Sequence, residues 1–154
     1  MGKVTPADGT QQILSVYLGA ELFGIPISQV QEVLETLPLT YVPLAPASIK
    51  GVMNLRGRVV TAIDLRTSLS HGDRQNLGHG KANMSVVIED EGDLYSLLVD
   101  RVGDVLNVPV AKIESLPLTM NDAWKNVSSG VFQLKDKIMV ILRPEVLLKA
   151  EGSE

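Results

Sequence analysis

Short apolar runs broken by Gly, Pro and charged turns dominate the chain, and none keeps a helical period for long. Residues 13–18 and 22–27 read as a hairpin turned by Gly19-Ala20-Glu21. Pro26 belongs at a strand edge or end, because it has no N–H to give a ladder. Ser28 then predicts an N-cap for a short helical turn over residues 29–33. Pro38, Pro43 and Pro46 predict extended coil over residues 37–48. Residues 53–55 and 58–65 flank Arg56-Gly57 as a tight hairpin whose Gly supplies a positive φ. The polar, Gly-rich stretch 70–83 reads as a flexible connector. Strands follow at 85–89, 95–99 and 105–108, and a last hairpin at 131–134 and 138–142 turns at Lys135-Asp136-Lys137. Pro144-Glu145 opens a short C-terminal helix.

The second half repeats the first. Val30-Gln31-Glu32-Val33-Leu34 reappears as Val102-Gly103-Asp104-Val105-Leu106, and residues 51–60 align without a gap to residues 130–139. Element order is shared as well: hairpin, Val-x-acid-Val-Leu segment, Pro-containing stretch, Gly and second hairpin, short apolar tail. The period is too long for a solenoid, so it predicts two related β modules. Many short strands at even spacing imply sandwich or barrel, and duplication divides them into two barrels of about five strands each. Closure also removes the exposed edges that Val-rich strands otherwise present. Residues 51–63 are expected to overlay residues 130–142.

Composition narrows the class. Among 154 residues, 45% are hydrophobic but only 4% aromatic, so Val, Leu and Ile must fill the core. The absence of Cys excludes disulfides, thiolate metal sites and a cysteine nucleophile. The N-terminal residues lack the apolar stretch of a signal peptide, and no run approaches the length of a membrane span. A cytoplasmic protein is expected. The 14 Lys and Arg are scattered among 18 Asp and Glu, a net charge of −4. Nucleic-acid binding needs basic residues paired with stacking aromatics, and one Trp, three Tyr and two Phe, dispersed, do not provide it.

Candidate chemistry is sparse. His71 and His79, with Asp73, are the nearest approach to a metal site, but ordering their Gly-rich connector around an ion is costly; no metal or cofactor is expected. No phosphate loop, nucleophile elbow or His-Glu-x-x-His helix occurs. Asp90, Glu91 and Asp93 fall at a hairpin tip and read as solvated turn residues. An enzyme needs a fixed, partly buried titratable group, and none is evident. Two positions stand out for recognition. Arg56 puts a guanidinium at a hairpin turn, and Lys135 keeps a cation there in the repeat. Glu32 sits in an apolar segment, and Asp104 keeps its sign; such a carboxylate seeks a partner, and Arg offers the bidentate match.

At these residues the chain resembles the CheW family, the coupling proteins of bacterial chemotaxis arrays. The resemblance rests on Val30-Gln31-Glu32-Val33, on Ile49-Lys50-Gly51-Val52-Met53-Asn54-Leu55-Arg56-Gly57, on Ile63-Asp64-Leu65-Arg66 and on Leu98-Val99-Asp100-Arg101-Val102. It implies an all-β fold of two intertwined SH3-like five-stranded barrels with short helices. The expected layout is a flexible tail at 1–11 and one domain over 12–149. Within that domain lie a first barrel mainly at 22–69, a linker at 70–83, a second barrel mainly at 84–142 and a helix at 144–149, with a tail at 150–154. It also implies a non-catalytic scaffold, without cofactor, joining the regulatory domain of the histidine kinase CheA to chemoreceptor cytoplasmic tips. Recruitment to membrane-associated arrays then needs no insertion into the membrane. Carried over residue by residue, the binding surface takes Val30, Glu32, Asn54, Arg56 and Gly57 from the first barrel. Val86, Asp100, Val102 and Val105 are assigned from the second. Two departures stand out: many members have Gly where Ser96 stands, and an Asp-containing turn where this chain reads Ile141-Leu142-Arg143-Pro144. A paralogous coupling module of another receptor–kinase pathway is the alternative, followed by a small-ligand barrel, for which a deep pocket with convergent polar groups is required.

Overall fold

The computed structural model describes residues 9–69, 82–120 and 122–152. Ten strands and three short helices follow one another. The first half holds β1 (Thr10–Leu18), β2 (Glu21–Pro26), β3 (Val30–Glu35), β4 (Ile49–Leu55), β5 (Arg58–Asp64) and α1 (Leu65–Ser68). The second holds β6 (Met84–Asp90), β7 (Asp93–Val99), β8 (Arg101–Pro109), α2 (Asp122–Asn126), β9 (Ser128–Gln133), β10 (Ile138–Leu142) and α3 (Pro144–Gly152). The strands form two five-stranded sheets, ordered β3-β6-β7-β5-β4 and β8-β1-β2-β10-β9. Replacing each strand of the first order by its counterpart in the repeat reproduces the second, so the duplication extends to topology.

The halves do not fold separately. Hairpin β1–β2 belongs to the sheet completed by β8, β9 and β10, and hairpin β6–β7 belongs to the sheet of β3, β4 and β5. The expected division into barrels over 22–69 and 84–142 is therefore corrected: each half lends its leading hairpin to the other. Parallel pairings of β5 with β7 and of β10 with β2 join the exchanged pieces. The expected tails are also shorter, because β1 already starts at Thr10 and α3 runs to Gly152. Residues 70–81 of the expected linker lie outside the described residues.

The exchange explains why the strands read as continuous apolar runs rather than alternating ones. Val86 and Ile88 point into a central core shared by both sheets, while Val87 between them points into a core confined to the first sheet. In β10, Val140 and Leu142 face the central core, and Met139 and Ile141 face the core of the second sheet. Strands buried on both faces need apolar residues at every position. Phe23 meets Trp124 edge to face at 5.2 Å, and the Trp124 indole N–H donates to the Leu69 carbonyl, so α2 is tied to the end of α1.

The region read as a helical turn is a strand. A single 3-10 turn at Ile27–Gln29 has no side-chain cap, and β3 follows at once. Its alternating half-buried and exposed pattern has period two, and antiparallel pairing with β6 overrides the weak capping signal of Ser28.

Each sheet closes through the segment that follows its edge strand. Thr40 and Val52 exchange both backbone hydrogen bonds, at 2.8 and 2.9 Å, and Glu114 and Val131 repeat the exchange at 2.8 and 2.9 Å. The glycines that precede Val52 and Val131 make these seams possible. A Cβ on Gly51 would stand 2.4 Å from the Thr40 carbonyl oxygen, and one on Gly130 would stand 2.8 Å from that of Glu114. Ser96 has a comparable explanation. Its counterpart Gly24 faces Ile141, and a Cβ there would meet Ile13 and Met139. Ser96 faces the smaller Ala62 in the first barrel, so volume moves from one partner to the other. The serine hydroxyl is buried without a hydrogen-bond partner.

Gly51→Ala is expected to lower stability by about 3 kcal/mol, because both φ of 148° and the carbonyl contact oppose a side chain. Gly57→Ala, at φ 87° but with nothing within 4 Å, is expected to cost about 1 kcal/mol. Denaturant unfolding of both variants distinguishes the two effects, and equal losses would show that the seam does not constrain the fold.

Candidate functional site

The β4–β5 turn consists of Arg56 and Gly57, with φ of 53° and 87°, the pair of positive values of a type I′ hairpin. Asn54 fixes this turn: its side-chain oxygen accepts the Gly57 N–H at 2.8 Å. Held there, the Arg56 guanidinium reaches across to Glu32 on β3 and grips its carboxylate with two nitrogens, one of them 3.2 Å from Oε2. Arg56 donates these bonds, and together with its charge they hold the Glu32 carboxyl below the usual carboxylate range. The ion pair spans the mouth of the first barrel. Gln31, Leu55, Arg58, Val87 and Leu94 complete a cleft of about 380 Å³ around it. Leu55, Val87 and Leu94 also belong to the barrel's own core. A charged clasp thus lies over an apolar floor.

The second barrel does not repeat the clasp. Asp104 and Lys135 occupy the corresponding positions, yet among the described residues no ion pair joins them. Neither Lys135 nor Asp136 takes a positive φ, so this turn has a different shape.

The remaining expected residues divide three ways. Val30 and Val102, counterparts in the repeat, are half-buried and pack against the central core from β3 and β8. Val105 is 45% exposed and presents an apolar side chain on β8. One assignment, Val86, is corrected, and another, Asp100, has an internal role as well. Val86 is completely buried, and it lies on β6 in the first barrel's sheet, so it has no surface to offer a partner. Asp100 is occupied internally: Oδ2 accepts the Gly19 N–H at 2.7 Å and an Arg66 N–H at 2.6 Å, tying the β1–β2 turn to α1. Its other oxygen is buried without a partner. Asp64 supports the same corner as the N-cap of α1, accepting the Arg66 N–H at 3.1 Å.

Sequence reasoning missed Arg58 and Leu94 in the cleft. It also missed Val59 and Ile138, repeat counterparts exposed by 68% and 49% on β5 and β10. Nothing in the sequence set them apart, because Val and Ile at matched positions of both hairpins read as core. His71, His79 and Asp73 lie outside the described residues. Among the described ones, no group of three His, Cys, Asp or Glu is placed to hold a metal ion. Asp90 and Asp93 pair across the β6–β7 tip, where Glu91 takes a positive φ as a turn residue.

The model of the CheW-like domain matches residues 12–152. The chain belongs to the CheW family. It is 30% identical over 141 residues to the chemotaxis protein CheW of Klebsiella aerogenes, covering 92% of this chain and 83% of that one. The chemotaxis protein CheW of Helicobacter pylori is 28% identical over 141 residues, with 91% and 82% covered. The crystal structure of the scaffolding protein TtCheW from Thermoanaerobacter tengcongensis superposes with a TM-score of 0.79 at 29% identity, covering 94% of this chain and 97% of that one. The CheW family is one of non-catalytic coupling adaptors in chemotaxis, and its fold of two intertwined five-stranded β barrels is the one described above. Among the described residues, no helix is long and apolar enough to cross a membrane.

Because Arg56 favours the ionised form, the Glu32–Arg56 interaction is present above the ordinary glutamate pKa and is lost as pH falls through the lowered value in the folded chain. Carboxyl-carbon NMR is expected to show Glu32 titrating below the ordinary glutamate value, and Arg56→Gln should move it back up. No change on substitution would show that the clasp is absent in solution.

Proposed function

We propose that this chain couples chemoreceptors to the histidine kinase CheA, one surface meeting the receptor's cytoplasmic tip and another the kinase's regulatory domain. The observation that carries the reading is the Glu32–Arg56 clasp over an exposed cleft. Arg56 is held by its positive-φ turn and Glu32 by β3, two long charged side chains at positions where neither supports the core. An exposed ion pair adds little to stability, so folding alone gives little reason for the arrangement. Asn54 and Gly57 hold Arg56, while Val30, Val102 and Val105 supply apolar surface on β3 and β8. Such a role places the protein in the cytoplasm beside receptor arrays, without insertion into the bilayer.

A second reading within the family is favoured by one observation. Protein PilI of Pseudomonas aeruginosa, whose name is not that of a chemotaxis protein, is 28% identical over 137 residues, covering 88% of this chain and 74% of that one. The same surface then serves a parallel receptor–kinase pathway.

Titrating a receptor-tip fragment and the CheA regulatory domain, singly and together, tests the coupling role. Each is expected to bind with roughly micromolar affinity, as small transient interfaces do, and both are expected to bind at once. Arg56→Ala should weaken binding of at least one of them about tenfold, or about 1.4 kcal/mol, while stability stays within about 1 kcal/mol of the parent. Mutually exclusive binding of the two partners would refute the bridge.

A further inference from the structure

We propose that Tyr17, Arg101 and Lys137 form a second recognition site, on the second barrel, that receives an acidic segment of a protein partner. Tyr17 lies on β1, directly opposite Arg101 of β8 in the antiparallel register. The Arg101 guanidinium carbon is 3.7 Å from the centre of the tyrosine ring, and the Lys137 ammonium is 5.0 Å from it. The ring itself is fixed, because it packs against the core of the second sheet. Gly103 leaves room for it. A Cβ at that position would stand 3.1 Å from Tyr17 Cε1 and 2.5 Å from the Ser15 hydroxyl. A cation over an aromatic face gains from the ring's negative quadrupole, which orders two long side chains that otherwise sample many rotamers.

Bringing two cations to one ring costs mutual repulsion. Among the described residues, neither Arg101 nor Lys137 has a carboxylate within ion-pair distance. The neighbouring Asp100 is held by Arg66 and Gly19, and Asp136 forms no ion pair with either cation. This positive corner belongs to a chain whose net charge is −4. Its counterpart on the first barrel is built differently, with Arg58 where Lys137 stands but Gln29 in place of Arg101. The repeat places Glu89 where Tyr17 stands, beside Asp90, Glu91 and Asp93 of the β6–β7 tip. The internal two-fold relation is thus broken at one matched corner, where Glu89 and Gln29 replace the tyrosine and one of its two cations, the kind of difference by which an adaptor distinguishes partners and orientations.

A short acidic protein segment fits these dimensions better than an extended polyanion. A nucleic acid or an anionic membrane would reach past two cations onto the acidic remainder of the surface. The single aromatic is also already covered by Arg101, which leaves no open face for a base to stack on.

Amide-shift mapping of the full chain with a short oligoglutamate peptide tests the proposal, and the probe contains neither receptor nor kinase, so its outcome is independent of the coupling role. Shifts are expected to centre on Tyr17, Arg101, Gly103 and Lys137, and to weaken between about 0.05 M and about 0.3 M salt. An Arg101→Ala/Lys137→Ala double variant of unchanged Tm should bind at least about tenfold more weakly. Arg101→Lys/Lys137→Arg should retain binding, and oligoglutamine should produce no shifts. Shifts centred elsewhere, binding retained by the double alanine variant, or equal binding of duplex DNA or phosphatidylserine vesicles at these residues would each overturn it.

Discussion

The structure depends on the exchange of two hairpins. β1–β2 and β6–β7 each sit in the middle of a sheet whose other strands come from the opposite half of the chain. Each hairpin is consequently buried on both faces, one turned to its barrel's interior and the other to the core between barrels. Phe23 and Ile25 from one hairpin meet Val86, Ile88, Leu97 and Val99 from the other in that central core. Burying one such side chain contributes roughly 1.5–3 kcal/mol, so the shared core is a large part of what the fold gains. Neither barrel can be completed from a contiguous stretch of sequence. The molecule is therefore one scaffold with two ends rather than two beads on a string.

Function follows from that rigidity. A bridge between two partners needs surfaces whose separation and orientation do not drift, and welded barrels supply them without a hinge. The surface features differ between the ends even though the frame repeats. The first barrel's mouth carries the Glu32–Arg56 clasp; the second replaces Gly57 by Asp136 in a turn without positive φ, and its acid and base stay apart. Duplication supplied two equivalent frames, and substitutions at matched corners made them distinguishable.

Much of this was legible in the chain. The ungapped match of residues 51–60 to 130–139 identified the repeat, and Arg56-Gly57 identified the turn. An acid stranded among apolar residues indicated that Glu32 would seek a partner such as an arginine, but the choice of Arg56 is visible only in the structure. What stayed hidden depends on long-range pairing. Val86 looks like a candidate contact until β6 is found between β3 and β7, where it is enclosed. Asp100 looks like a surface acid, yet the Gly19 N–H and Arg66 converge on it from distant segments. The segment beginning at Val30 was misread because Ser28 resembles a cap, while the partner that makes it a strand lies in the second half. The hairpin exchange is equally silent locally, since each hairpin has the same sequence pattern whichever sheet receives it.

Scanning calorimetry of the full chain, combined with native-state hydrogen exchange, tests the central claim most directly. The exchanged hairpins predict a single transition with equal calorimetric and van't Hoff enthalpies. Amides of Phe23 in β2 and Leu97 in β7 should then open only with global unfolding. Two separate transitions, or either hairpin exchanging at a lower free energy than the rest of its barrel, would contradict a scaffold held together by its hairpins.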